Sequence, residues 1–490
     1  MSNDRSTTTE QAMDTMKVDV AVIGAGTAGL NARREVEKRG GRPVMIESGS
    51  FGTTCARVGC MPSKLLIAAA EAAHGLAHAP TFGVHPGAGV RIDGPAVMQR
   101  VQRERDRFVS FGLKDVEDLP ADHVLRGRAR FVAPTTLEVD DRIRVEARAV
   151  VIATGSRPFV PPPFERIRAH VLTSDDVFEL PDLPRSLAVI GTGIIALELG
   201  QAMHRLGVRT AFFNPYDELG PFTDPELKRV ARQGLGAELE LHLGIELASA
   251  EVEAGGVRLR WREPDGSTHD ALFEKVLVAA GRRPNVDELG LAHTGLVLGR
   301  GGVPAVDTMT AQCGDAPIFL AGDVDGNLPL LHEAADEGRI AGANAMLWPN
   351  VERHERRTPI AVAFTDPQMA MAGLRYADLP PGGHAIGTVS YENQGRARVV
   401  GRNRGLVRLY AETSKCRLIG AEMFGPGMEH MGHLLAWAVQ QGMTVQTALA
   451  MPFYHPVLEE GLRTGLRDLA RQLKNMGSCR PEDAAEAAGQ

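Results

Sequence analysis

The chain has 490 residues, 43% of them hydrophobic and 23% charged, with a formal net charge of −7. That length suggests about three domains, the composition is that of a globular protein, and the charge argues against nucleic acid or an anionic membrane as principal partner. No apolar run approaches the roughly 18 residues needed to span a bilayer, and five cysteines in so long a chain make no extracellular disulfide framework, so the expected compartment is the cytoplasm.

The opening segment "MSNDRSTTTEQAMDTMK" is polar, with no basic-then-apolar pattern, and reads as a flexible lead-in over residues 1–16. An apolar strand at 18–23 then meets Gly24, Gly26 and Gly29, followed by a helix and a second strand at 43–46 that ends on Glu47. Next come two cysteines, Cys55 and Cys60, in "TTCARVGCMPSKLL", ahead of an apolar helical run. "RAVVIATGSRP" (148–158) and "EKVLVAAGRRPN" (274–285) are buried strands breaking at Gly155 and Gly281. Between them the first pattern recurs: a strand at 187–190, Gly191, Gly193 and Ala196, a helix, and a strand at 208–213 ending on Asn214. "APIFLAGDVDG" (316–326) is a further buried strand that ends at Gly322 and Asp323. Beyond residue 356 the pattern turns to alternating strands and then to helices at 428–442 and 457–475, an α+β domain with a mobile tail.

The two glycine patterns form a repeated βαβ dinucleotide fingerprint. The first glycine permits a sharp turn, the second lets backbone reach a pyrophosphate at the positive end of the helix dipole, and the third position must be small for helix and strand to pack. Ala196 satisfies that last requirement. One such motif alone is a weak signal; two, each with strand, helix and second strand in order, are strong. The expected fold is α/β, with two Rossmann-like domains, one nested in the other, and a C-terminal α+β domain.

With GAGTAG, TCARVGCMPSK, ATGS, GTGIIALELG, GRRPN, GDV, FTDP and HPVLEE in this order, the chain resembles the flavin-dependent pyridine nucleotide–disulfide oxidoreductases, and within them the dihydrolipoamide dehydrogenases, over roughly residues 17–470. The resemblance implies an FAD domain at 17–155, an NAD(P) domain at 156–281, a central domain at 282–356 completing the FAD site, a dimerisation domain at 357–475 and a flexible tail at 476–490. It assigns Gly24, Gly26, Gly29, Glu47, Lys64, Thr154, Gly155, Gly322 and Asp323 to FAD. To the nicotinamide dinucleotide it assigns Gly191, Gly193, Ala196, Glu198, Asn214 and Gly281. Lys64 would lie near the flavin and pair with Glu198; on spacing alone, both would read as exposed charges.

Four readings compete for Cys55 and Cys60. A zinc site lacks a second pair of ligands nearby, a structural disulfide is out of place in a reducing compartment, and two inert cysteines leave the flavin fingerprint unexplained. A redox disulfide fits best, because a helix start favours the thiolate that exchange chemistry needs. By resemblance, Cys60 faces the flavin and Cys55 exchanges with the substrate. "HPVLEE" then supplies His455 as base and Glu460 as its orienting carboxylate, acting on the other subunit of a homodimer. A lone histidine at a helix start would otherwise carry no role. A carboxylate on one imidazole nitrogen fixes the tautomer and raises the basicity of the other. The implied activity moves electrons between dihydrolipoamide, free or on a lipoylated carrier protein, the cysteine pair, FAD and NAD. No metal and no lipoyl domain are expected in the chain.

Two stretches depart from the family, the end of the second fingerprint at Asn214 and the disulfide loop, which has Thr53, Ala56 and Arg57. Asn214 stands where NAD-preferring members have glutamate, and "FFNPYDELGPF" shows no arginine clamp for a 2′-phosphate, which leans towards NAD without excluding NADP. Arg57 lies inside the disulfide loop, where it either stays solvated or stabilises a thiolate and meets an acidic carrier. The rival readings are a reductase of glutathione or another small disulfide and, from a different class, a redox-silent flavoprotein subunit of a complex. A mercuric reductase would carry a vicinal cysteine pair near the C-terminus, where this chain has Cys479 alone.

Overall fold

A computed structural model describes residues 13–87 and 91–478. The chain divides into two compact units, one of Met1–Arg57, Arg105–Arg157 and Arg282–Arg356, the other of Val58–Glu104, Pro158–Gly281 and Arg357–Gln490.

The first unit is built on a seven-stranded sheet. Its central strand, Asp14–Ile23, runs parallel to Pro43–Glu47 on one side and to Ile143–Ile152 on the other, so the strand order reverses there. Such a reversal opens a crevice at the strand ends, where ligands bind in open α/β sheets. Ile318–Leu320 joins the far edge of Ile143–Ile152 in parallel. The helix Thr27–Lys38 covers the sheet, and Leu331–Leu347 packs on it backbone to backbone: a Cβ on Gly338 would lie 2.2 Å from Ala28 O, and one on Gly342 would lie 2.4 Å from Ala32 O. The central strand starts at Asp14, inside the segment expected to be flexible. The ten-residue strand Ile143–Ile152 is long enough to pair residues 14–17 as well. Residues 1–12, and the tail from 479 that includes Cys479, lie outside the described residues.

In the second unit, Ser186–Ile190 holds the corresponding central place in a five-stranded parallel sheet, between Arg209–Asn214 and Lys275–Val278. The same unit contains a five-stranded antiparallel sheet in the order Ile360–Ala363, Gln368–Gly373, Leu418–Gly425, Leu406–Glu412, His384–Ser390. Helix Glu460–Asn475 buries Leu462, Leu466, Leu469 and Leu473 against that sheet, a helical stripe spaced four, three and four residues apart. Glycine at 387 lets the helix close in, because a Cβ there would meet Leu469 Cβ at 2.5 Å.

A buried acidic cluster joins the parallel and antiparallel parts. Glu422 is fully buried and accepts hydrogen bonds from the backbone N–H of Thr223 at 2.9 Å, Asp224 at 3.1 Å and Tyr376 at 2.8 Å, and from the Thr223 hydroxyl. Asp224, equally buried, accepts from Arg408 Nε at 2.9 Å and the Tyr410 hydroxyl at 3.0 Å while capping helix Pro225–Gly236. Removing the Glu422 carboxylate strands several buried donors, so Glu422→Ala is expected to cost about 3 kcal/mol of stability. The denaturation midpoint measures this; a loss below about 0.5 kcal/mol, the range of an ordinary surface change, would contradict the clamp.

Candidate active site

The two glycine turns have the same geometry. Gly24 has φ +109°, and a Cβ there would sit 2.3 Å from Ala153 O; Gly191 has φ +106°, and a Cβ there would sit 2.5 Å from Ala279 O. Only glycine can pass so close under the neighbouring strand in that conformation. Gly26 and Gly193 have nothing within 4 Å of a Cβ position, leaving their backbone open at the helix start. A Cβ on Gly29 would strike Gly24 O at 1.9 Å, and its counterpart Ala196 is fully buried.

In the first turn the half-buried Glu47 accepts from Ala25 N at 2.7 Å and from Gly49 N at 2.6 Å, one bond on each oxygen, which leaves lone pairs for ribose hydroxyls. Thr154 Oγ1 is buried without a hydrogen-bond partner among the described residues, and Gly155 faces open space. Asp323 accepts from Ser156 Oγ at 2.9 Å, and Asn285 Nδ2 donates to Thr154 O at 2.9 Å. An open pyrophosphate cradle, a carboxylate at the end of the second strand and an orphaned hydroxyl together fit FAD. One supporting residue escaped the sequence reading. Glu337 accepts from Gly322 N at 2.8 Å and from Arg356 at 2.9 Å, holding the Gly322-Asp323 turn from behind. Burial and the nearby Asp325 push its carboxyl up to about 7. Its signal in the sequence is an acid lying one residue from Gly338 on the helix face that packs inward.

In the second turn Asn214 is buried, and its amide is spent locally. Nδ2 donates to Thr192 Oγ1 at 2.6 Å and to Glu218 O at 3.0 Å, and Oδ1 accepts from Tyr216 N at 3.2 Å. Asn214 thus staples the loop 215–218 to the glycine turn and keeps little capacity for a ribose. The loop exposes Asp217 and Glu218, and Asp217 pairs with Arg232. Arg209 points away, over the Phe273 ring. Gly281 has φ +107° and open space at its Cβ position, and its carbonyl accepts from Phe159 N at 2.9 Å.

Cys55 lies in a short helix, Thr54–Val58, that the sequence reading did not foresee. Gly59 separates it from the long helix Cys60–His78, whose first residue is the exposed Cys60. Lys64 follows four residues later on the same helix face, and its Nζ lies 2.7 Å from Glu198 Oε2. Glu198, almost wholly buried, also accepts from Phe364 N at 2.8 Å, while Lys64 Nζ sits 4.6 Å from the Phe364 ring centre. The ion pair therefore ties the Cys60 helix to the helix of the second fingerprint. The Arg57 stem packs beside Gly52, where a Cβ would lie 3.2 Å from Arg57 Cδ. Cys313 is fully buried, and burial pushes its thiol up to about 12, which removes it as a nucleophile.

His455 Nδ1 lies 3.0 Å from both Glu460 oxygens. Glu460 opens helix Glu460–Asn475 and also accepts from Val457 N at 3.3 Å. The bond with His455 holds the Glu460 carboxyl below the usual carboxylate range. The His455 side chain is 80% exposed, so its second nitrogen is open to a reactant.

Residues 18–338 match the family model described as pyridine nucleotide-disulphide oxidoreductase, and residues 359–465 match its dimerisation domain. The chain belongs to this family. The family is one of flavin-dependent disulfide oxidoreductases that use a pyridine nucleotide, and the α/β architecture above is its fold. Among curated relatives, the chain is 29% identical over 464 residues to dihydrolipoyl dehydrogenase 2 of Haloarcula marismortui, covering 91% of this chain and 96% of that one. It is 31% identical over 476 residues to the mercuric reductase of Streptomyces lividans, covering 94% and 98%. Among solved structures, LpdA from Mycobacterium tuberculosis superposes with a TM-score of 0.78 at 26% identity, over 92% of this chain and 99% of that one. The HOCl-induced flavoprotein disulfide reductase RclA from Escherichia coli gives 0.77 at 20% identity over 92% and 99%, a likeness of fold alone. No helix among the described residues is long and apolar enough to cross a membrane.

Proposed function

We propose that the chain is a dihydrolipoamide dehydrogenase that works as a homodimer, oxidising dihydrolipoamide, free or on a lipoylated carrier, with NAD as final acceptor. The observation that carries this reading is the His455–Glu460 pair. Both carboxylate oxygens lie 3.0 Å from Nδ1, which fixes the tautomer so that Nε2 can take a proton from a substrate thiol. A base is needed when the reductant is a dithiol, because the thiolate is the attacking species.

The substrate thiolate attacks the Cys55 sulfur of the Cys55–Cys60 disulfide, forming a mixed disulfide and releasing Cys60 as thiolate. His455 of the partner subunit holds the proton removed. The second substrate thiol attacks the substrate's other sulfur in the mixed disulfide, and its proton passes to the Cys55 sulfur that leaves. That step frees Cys55 and closes the lipoamide ring, so the substrate loses two electrons and the cysteine pair gains them. The dipole of the helix that Cys60 opens favours its thiolate. Bound FAD supplies the two-electron relay between thiols and nicotinamide. Glu47, Thr154, Gly155, Gly322 and Asp323 would hold it with the first glycine turn.

For the nicotinamide dinucleotide, support comes from the loop after Asn214. A 2′-phosphate there would meet exposed Asp217 and Glu218, and Arg232, which reaches this loop, is already paired with Asp217. NADH is therefore expected to exceed NADPH in kcat/KM. Steady-state turnover of lipoamide, glutathione disulfide and mercuric ion with each coenzyme tests both points. Lipoamide with NADH should give the highest kcat/KM. A higher value with glutathione disulfide or mercuric ion would replace the substrate, and a higher value with NADPH would replace the coenzyme.

A further inference from the structure

The segment "YENQGRARVVGRNRG", residues 391–405, carries four exposed arginines, Arg396, Arg398, Arg402 and Arg404, in a chain whose net charge is −7. Among the described residues none of the four pairs with a carboxylate; Arg398 donates only to Asn393 Oδ1, at 3.4 Å. Glu392 is the one acid in the segment. Val399 is 63% exposed in its middle, and Phe82, 58% exposed, lies against Gly401 at 3.0 Å from that residue's Cβ position. An apolar centre bordered by unpaired cations is the make-up of a protein-docking surface rather than of a solvated loop.

The segment is also fastened to the base. The buried Tyr391 donates its hydroxyl to Leu458 O at 3.0 Å, and Gln394 Nε2 donates to Val457 O at 2.7 Å. Gln394 Oε1 caps the short helix Gly395–Val399 through Ala397 N at 2.7 Å. Glycine at 461 makes room for Tyr391, because a Cβ there would lie 2.4 Å from the hydroxyl oxygen. Both anchors fall within three residues of His455, on the strand of chain that ends at Glu460. The charges at the start of the packed helix are Glu459, just before it, and Glu460 and Arg463 within it.

We infer that the Arg396–Arg404 segment is the docking surface for an acidic protein that carries the dithiol substrate on a flexible arm, and that it sets that arm beside His455. The inference rests on the proposed oxidation of a lipoyl-type dithiol and names the partner class for the same site. A cationic surface next to the reacting base raises encounter with an acidic carrier and leaves the chemical step untouched, so it acts on kcat/KM for the carrier and not for a small neutral substrate.

The test compares the wild-type holoenzyme with two variants, one with all four arginines changed to glutamine and one with Arg396→Glu and Arg402→Glu. The substrates are free lipoamide and an acidic lipoylated domain. Both variants should lose about tenfold or more in kcat/KM for the domain, keep lipoamide kcat/KM within about twofold, and lose the steep salt dependence that the wild type shows with the domain. Unchanged kcat/KM for the domain would overturn the docking surface. If the wild type turned over neither substrate, the substrate reading would fall. Titration calorimetry of the same domain at low salt would then decide the surface alone: binding lost in both variants upholds it, and equal binding ends it. Tighter binding of a single-stranded oligonucleotide than of the domain would also overturn it.

Discussion

Changing Cys60 to serine should stop disulfide turnover while leaving the flavin in place. Without the second sulfur no intramolecular disulfide exists for a dithiol to attack, and the only remaining route is direct reaction with bound FAD. Turnover of dihydrolipoamide is expected to fall by about 10³-fold or more, the scale on which removal of a covalent catalyst is felt. Electron transfer from NADH to an artificial acceptor such as ferricyanide should persist, since neither glycine turn is touched. Cys60 opens its helix on an exposed position, and the helix is held by Leu66, Ile67 and Ala70 in the core and by the Lys64–Glu198 pair, so serine costs little stability. Loss of both activities, with loss of bound flavin, would mean that Cys60 holds the structure and does not relay electrons.

The second large effect belongs to His455. His455→Gln removes the only proton acceptor that the structure places against an orienting carboxylate on this exposed turn, and should lower kcat for dihydrolipoamide oxidation by about 10²- to 10⁴-fold. Glu460→Gln keeps the imidazole and loses its orienter, for which about 10- to 100-fold is expected, as for other groups that act through a neighbour. The pH profile separates the two roles. Because its bond to His455 keeps the Glu460 carboxyl low, Glu460 stays ionised throughout the neutral range, and its contribution is lost only as pH falls through that lowered value. A loss of kcat in Glu460→Gln that is smaller than in His455→Gln, and that shrinks as pH falls through that lowered value, would separate the orienter from its base. If both variants turned over dihydrolipoamide at the wild-type rate, the pair would be a surface ion pair without a catalytic part.

The parts of the molecule legible in its sequence are those where steric necessity leaves one solution. Gly24 and Gly191 pass within 2.3 and 2.5 Å of a carbonyl, measured from where a Cβ would stand, and no other residue type fits. A repeated glycine pattern with strands on either side therefore announces both nucleotide folds. His455 and Glu460 stand out only through the resemblance of HPVLEE to the family's segment; a lone histidine at a helix start carries no such signal, and it is the fold of the turn that brings Nδ1 to 3.0 Å from the Glu460 carboxylate. What stayed hidden depends on partners far along the chain. Glu422 looks like a strand residue with an exposed acid, yet its donors at Thr223 and Asp224 come from 199 and 198 residues earlier. Glu337 gives no sign of meeting Gly322 until helix Leu331–Leu347 is laid on the sheet. Asn214 reads as a ribose ligand by position; only the folded loop shows its amide already taken by Thr192, Tyr216 and Glu218. The strand Gln368–Gly373 gives little sign of itself, because "QMAMAG" has no β-branched residues, and its place between Ile360–Ala363 and Leu418–Gly425 sets its conformation instead.

The central claim is that Cys55 and Cys60 form one disulfide that the bound nicotinamide can reduce through the flavin. Its most direct test is to alkylate the holoenzyme anaerobically, before and after NADH, and to map the modified peptides by mass spectrometry. The expected result is a Cys55–Cys60 cross-link in the oxidised protein, converted by NADH to two alkylated cysteines, with Cys313 unmodified in both states. Two alkylated cysteines before any NADH is added, or a cross-link that survives excess NADH, would contradict the account.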